Sequence, residues 1–210
     1  MLVLDDGNTP PTWGAWTPPE MIAERLGIGR YLIDVPLGGT AIDLGAGIGM
    51  PLSAYIYARR PDLHIVPIDP GYALPGVTAD LELARHKVLE SFDDETRARL
   101  ETDDAWHRNA LGAYAEKLPF DDSSVDLIVS HAAMPDYATD PSLVAEEYVR
   151  VLRLAGVALN GPMHDWAFEP WVDLLNTALL EGRISAFQHE ERVLTAGSRI
   201  ATGFFTHITK

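Results

Sequence analysis

The 210-residue sequence predicts an α/β protein with a doubly wound, mostly parallel seven-stranded sheet that ends in an antiparallel hairpin. Three observations lead there. Short apolar runs alternate with longer amphipathic stretches, which is the pattern of strands joined by crossover helices. A glycine-rich turn, Gly45-Ala46-Gly47-Ile48-Gly49, follows the first of those runs directly. Near the end of the chain, two strand-like runs flank Ala196-Gly197-Ser198, the composition of a β-hairpin.

Taken in order, the elements read as one domain over residues 1–210. Residues 1–39 form an N-terminal segment in which Pro10, Pro11, Pro18 and Pro19 surround Trp13 and Trp16. That spacing forbids a regular helix or a central strand over Asp5–Glu20. Two tryptophans are costly to leave in water, so the segment is expected to act as a lid or cap. A core over 40–161 opens with strand Thr40–Leu44, helix Met50–Arg59 and strand His64–Ile68. Residues 71–105 exceed a normal strand connection and read as a helical insertion. In it Leu81, Ala84, Val88 and Leu89 share one face, and Asp94–Leu100 reads as a second helical piece. Another strand is expected just before Glu116, then Val125–Ser130. The helix Ser142–Leu154 begins after Asp140-Pro141, because proline is tolerated in a first helical turn. Strand Val157–Asn160 closes the core. Residues 162–210 supply a helix at Trp171–Leu180 and the hairpin Arg192–Thr195 with Arg199–Ile208.

Composition excludes several kinds of function. With no cysteine there are no disulfides, thiolate metal sites or cysteine nucleophiles. No apolar run reaches the ~18–20 residues that span a bilayer, so no membrane partner is expected. The first residues lack a basic stretch ahead of an apolar core, which leads to the expectation of a cytoplasmic protein. The net charge is −15, and the three lysines, Lys87, Lys117 and Lys210, are scattered. Gripping nucleic acid requires neutralising phosphates, so none is expected as a partner. A small-molecule partner suits this balance, and a homodimer stays open.

The strand carrying Asp43 runs straight into the glycine turn. Glycine lets a backbone adopt positive φ and approach a ligand closely, and such turns at the C-terminal ends of parallel strands bind nucleotides. Asp69, twenty residues past Gly49, ends the second strand and can accept hydrogen bonds from ribose hydroxyls. Dinucleotide enzymes place a third glycine three residues after the second, where this chain has Met50. Its third glycine, Gly49, comes earlier, which disfavours a pyrophosphate ligand and with it a nicotinamide oxidoreductase.

Four segments in this order resemble the small-molecule branch, type 11-like, of the class I S-adenosylmethionine-dependent methyltransferases, which have a Rossmann-like fold. They are Asp43-Leu44-Gly45-Ala46-Gly47-Ile48-Gly49, Asp69, the stretch from Ala115 through Ser130, and Glu147-Tyr148-Val149-Arg150-Val151-Leu152-Arg153. The resemblance implies S-adenosylmethionine as cofactor, held by Asp43, Gly45, Gly47, Gly49, Asp69, Tyr114, Ala115 and Ser130. Two positions depart from the pattern: Tyr114 stands where the family carries an acid for the adenine, and Leu154-Ala155-Gly156 replaces its proline-glycine-glycine turn.

Methyl transfer from a sulfonium is an in-line displacement that needs alignment, exclusion of water and sometimes a base. His131 and His164 both follow predicted strands and are the candidate catalytic residues. Asp165 adjoins His164, but neighbours in sequence do not usually pair, so that dipeptide is no dyad. Trp13, Trp16, Met134 and Tyr137 are the candidate acceptor or lid contacts. No metal is called for. Ser130-His131-Ala132-Ala133 lacks the Asn/Asp-Pro-Pro-aromatic motif of amino-group methyltransferases acting on nucleic acids and proteins. The resemblance therefore implies an oxygen, carbon or simple amine centre on a small molecule. The alternative is a methyltransferase-like protein that binds cofactor or a partner without catalysis.

Overall fold

The computed structural model describes residues 18–74, 77–196 and 199–210. Two short helices, α1 (Pro19–Leu26) and α2 (Gly29–Leu32), lead into strand β1 (Thr40–Leu44), helix α3 (Pro51–Arg59) and strand β2 (His64–Ile68). A 3₁₀ turn at Pro70–Ala73 precedes helices α4 (Val77–Leu89), α5 (Asp94–Thr102) and α6 (Ala105–Arg108). Then come β3 (Val125–Ser130), α7 (Pro141–Val151), β4 (Leu152–Met163), α8 (Asp165–Leu180), β5 (Ala186–Ala196) and β6 (Arg199–Thr209).

Among the described residues the sheet has six strands in the order β2-β1-β3-β4-β6-β5, not the seven expected. The first four are parallel, while β6 runs antiparallel to β4 and β5 antiparallel to β6. The strand expected before Glu116 is reduced to one parallel bridge between Ile68 and Leu111. Leu111 donates to the Pro67 carbonyl at 2.9 Å and accepts from Asp69 at 3.2 Å. Pairing stops there because the chain beyond β2 turns into the 3₁₀ helix Pro70–Ala73, against which Gly112 passes closely.

Layers of helices cover both faces of the sheet. On one, Ile22 and Leu26 of α1, Leu52 and Ile56 of α3 and Val88, Leu100 and Trp106 of the α4–α6 region form one apolar core with Ala41, Leu127 and Leu159 of the strands. The 71–105 region is thus part of a helix layer, packed on α3 and β2. On the other face, Val144 and Tyr148 of α7 and Trp171 and Leu175 of α8 pack on Ile42, Ile128 and Ala158. Each fully buried aliphatic side chain of this kind contributes roughly 1.5–3 kcal/mol.

Three boundaries differ from the sequence reading, each because tertiary contact overrides a local signal. Helix α7 ends at Val151 and β4 begins at Leu152, since Leu152 pairs with Val125. Helix α8 starts at Asp165 rather than Trp171 and runs through Pro170. Proline inside a helix removes one hydrogen bond, but Ala167, Phe168, Trp171, Leu175 and Ala178 share a buried stripe that offsets the loss. Strand β5 begins at Ala186, six residues before the predicted run, because every residue from Ala186 to Ala196 has a register partner on β6. The expected lid residues Trp13 and Trp16 lie outside the described residues, as does the hairpin tip at 197–198.

Candidate active site

Two groups of functional side chains sit at the C-terminal ends of the parallel strands. The first is the turn after β1. Gly45 and Gly47 have φ of 72° and 63°, and Met50 adopts the left-handed region at 48°, so the chain folds back tightly before α3. The amide of Gly45 donates to the Ile68 carbonyl at 2.8 Å, and that of Gly47 to Oδ2 of Asp69 at 3.2 Å. Oδ1 of Asp69 accepts from the Gly71 amide at 2.8 Å. Burial pushes the Asp69 carboxyl up, opposed by those two backbone donors. Tyr72, to which nothing in the sequence pointed, donates its hydroxyl to the Gly47 carbonyl at 2.5 Å and fixes the turn from above. Asp43 lies beneath, fully buried, accepting from the amide and hydroxyl of Ser53 at 3.0 and 2.7 Å. Burial pushes its carboxyl up to about 6.

The chemistry of this first group fits a nucleoside without phosphates. Asp69 has acceptor capacity left for a vicinal diol, since a carboxylate offers about four lone-pair sites. Helix α3 begins with Pro51, which has no N–H, so its first turn lacks one of the donors that would cradle a pyrophosphate. No lysine or arginine occurs between Gly45 and Met50. Gly49 packs against Val88, where a Cβ would lie 3.1 Å from Cγ2, so it serves helix packing. Ala115 is buried in the core. Tyr114 is 60% exposed and makes no side-chain hydrogen bond to the described residues, while Asn109 donates to the Ile65 carbonyl at 3.4 Å.

The second group stands at the ends of β3 and β4. Ser130 is buried, and its hydroxyl accepts from the Met134 amide at 3.0 Å, closing the turn that follows β3. Ala133 of that turn touches the first group: a Cβ on Gly45 would lie 2.2 Å from the Ala133 Cβ. Asp136, buried in the same loop, reaches His164 at the end of β4, its Oδ2 standing 2.6 Å from Nδ1. The carboxylate also accepts the His164 backbone amide at 3.1–3.2 Å. Burial pushes the Asp136 carboxyl up, while the contacts with His164 oppose that shift. The ring of His164 stays exposed and lies nearly parallel to that of Trp166, 17° between planes and 6.1 Å between centroids. Met134 is buried beneath this loop and Tyr137 is exposed on it.

The two candidate histidines differ sharply. His131 is half-buried with its Nε2 enclosed and unpaired among the described residues. Burial, with the Arg25 charge beside it, pushes its pKa down to about 4. Among the described residues His131 has no partner at Nε2, whereas His164 is paired through Nδ1 with the Asp136 carboxylate. The missing member in the sequence reading was Asp136, 28 residues from its partner. Its only signal was an acid within a loop already marked by Met134 and Tyr137. Among the described residues no group of three or more His, Asp or Glu is placed to hold a metal ion.

Two of the four recognised segments turn out to hold each other. Glu147 of α7 accepts from the Leu118 amide at 2.7 Å, and Arg150 donates to the carbonyls of Leu118 and Phe120 at 2.9 and 2.7 Å. The link fixes the loop that enters β3.

The family model for a methyltransferase domain matches residues 42–159, more than half of the chain. No curated protein matches it significantly. Among solved structures, a chain from the Haloferax volcanii complex between the Trm112 methyltransferase activator and a putative methyltransferase is similar at 18% identity, with 91% of this chain and 92% of that one covered and a TM-score of 0.51. A Thermotoga maritima methyltransferase described as a possible histamine N-methyltransferase aligns at 14% identity over 91% and 97% of the two chains, with a TM-score of 0.51. The Haemonchus contortus phosphoethanolamine N-methyltransferase 2, bound to phosphomonomethylethanolamine and S-adenosylhomocysteine, aligns at 14% identity over 93% of this chain and 54% of that one, with a TM-score of 0.55. At these identities the likeness is one of fold.

Proposed function

The chain belongs to the methyltransferase domain family, whose cofactor is S-adenosylmethionine, and we propose that it transfers that methyl group to a small molecule with His164 as general base. The observation that carries the base assignment is the 2.6 Å contact between Asp136 and Nδ1 of His164 at the mouth of the parallel strands. An ionised carboxylate only accepts, so it holds the proton on Nδ1 and leaves the Nε2 lone pair outward.

When bound, S-adenosylmethionine supplies an electrophilic methyl group on a positively charged sulfur. The residues divide the rest of the work. Asp69 anchors the ribose hydroxyls, and the Gly45–Gly47 turn brings backbone against the nucleoside. Asp136 fixes the tautomer and direction of His164. His164 takes the acceptor's proton as the new bond to the methyl carbon forms, then releases it to solvent. A small acceptor agrees with the net charge of −15, which disfavours polyanions.

The test pairs binding with turnover. Calorimetry should detect S-adenosylmethionine binding, and Asp69→Ala should weaken it at least tenfold, since each hydrogen bond lost to a charged group costs about 1.5–3 kcal/mol. A panel of metabolites should then yield S-adenosylhomocysteine and a methylated product. Intact cofactor binding with no turnover on any acceptor would move the protein to the non-catalytic reading.

A further inference from the structure

The groups around Nε2 of His164 carry information about the acceptor that the base assignment does not use. Trp166, in the first turn of α8, is 62% exposed, and Tyr137, the residue after Asp136, is 66% exposed. Large aromatic side chains are normally buried, so an exposed one stacked beside a candidate base marks a contact surface. Each of the two lies within two residues of one member of the Asp136–His164 pair. Trp166 also lies nearly parallel to the imidazole itself. An acceptor that presents a proton to Nε2 therefore meets the Trp166 ring beside the imidazole.

Resting on the reading of His164 as base, we propose that the acceptor is an aromatic hydroxyl compound whose ring lies against Trp166 and Tyr137 while its O–H points at Nε2. Planar rings in offset-stacked or edge-to-face contact gain attraction beyond that of area burial. The acid strength agrees as well. A phenolic hydroxyl ionises near pH ~10, within reach of an imidazole acting as the bond forms, whereas an aliphatic alcohol is far weaker as an acid. In the step, the O–H proton passes to Nε2 and the oxygen's electron pair forms the O–CH₃ bond. The C–S pair leaves with sulfur, giving S-adenosylhomocysteine and a methyl aryl ether, and the proton on His164 is returned to water.

The experiment uses the full chain saturated with S-adenosylmethionine and a panel of mono- and dihydroxybenzenes, each paired with its saturated ring alcohol. Binding is followed by tryptophan fluorescence and turnover by product ether. At least one hydroxybenzene should bind ten times or more tightly than its saturated counterpart and be methylated. Trp166→Leu should raise its KM about tenfold with kcat within about threefold, and Trp166→Phe should restore most of the loss. The exposed position makes both variants compatible with folding. Equal binding of the aromatic and saturated series, no hydroxybenzene bound by a protein that does bind cofactor, or an unchanged KM in Trp166→Leu would each overturn the proposal. Failure of cofactor binding in the same samples would instead strike the functional reading on which it rests.

Discussion

The two ends of the site are built in opposite ways. At β1 and β2 the geometry comes from backbone: positive φ at Gly45 and Gly47, and amide hydrogen bonds to Ile68 and Asp69. At β3 and β4 it comes from side chains that meet across the fold, with Asp136 buried under an exposed His164. A backbone-built site is fixed by which residues the turn can tolerate, so it holds a cofactor common to many enzymes. A side-chain-built site changes with any one substitution, so it is where an acceptor preference can be set. The contact between Gly45 and Ala133 joins the two.

The sharpest way to break this comparison is to remove the base. His164→Ala should lower kcat by about 10²–10³-fold, in the usual range for general-base catalysis, with cofactor affinity unchanged. Asp136→Asn should give a smaller loss of the same kind. Single-turnover assays beside calorimetry would show whether the two ends separate in this way; a parallel loss of cofactor binding would mean they do not.

Gly45→Ala tests the joint. Its φ of 72° disfavours a side chain, and the new Cβ would meet Ala133 at 2.2 Å. Strain and overpacking should cost about 1–3 kcal/mol, read as a lower melting temperature together with weakened cofactor binding. Wild-type values for both would show that the turns are not in contact.

The buried Asp43 distinguishes the backbone-built end by pH. Its carboxyl sits at about 6 in the folded state, against ~3.9 for an unfolded aspartate. Between those values the folded protein binds the extra proton, so the group's contribution to stability falls as pH rises from about 4 to about 6. Asp43→Asn removes that term. Relative to wild type, the variant should gain about 1–3 kcal/mol on going from pH 4 to pH 7 in denaturant melts. Identical pH profiles would mean Asp43 is not held as the structure has it.

The smallest effect is expected at Tyr114. Because that residue is 60% exposed and without a side-chain hydrogen bond to the described residues, Tyr114→Phe should leave cofactor affinity within about twofold. A tenfold loss by calorimetry would bring its hydroxyl into the site.

The sequence by itself determined the parts that depend on local backbone needs. Alternating apolar runs located β1, β2 and β3, because a strand buried between two helix layers must be apolar along its length. Glycine at 45 and 47 marked the tight turn after β1, because few residues other than glycine adopt positive φ without strain. Tertiary structure decided the rest. Among the described residues the sheet stopped at six strands because the chain past β2 turns into a 3₁₀ helix and leaves Leu111 a single bridge. Helix α8 crossed Pro170 because its buried stripe outweighed one missing hydrogen bond. Asp136 found His164, and Glu147 found Leu118, across separations of 28 and 29 residues. No periodicity or spacing encodes such contacts. They exist only once β3, β4 and α7 are packed side by side, and packing is where the acceptor end of this site is decided.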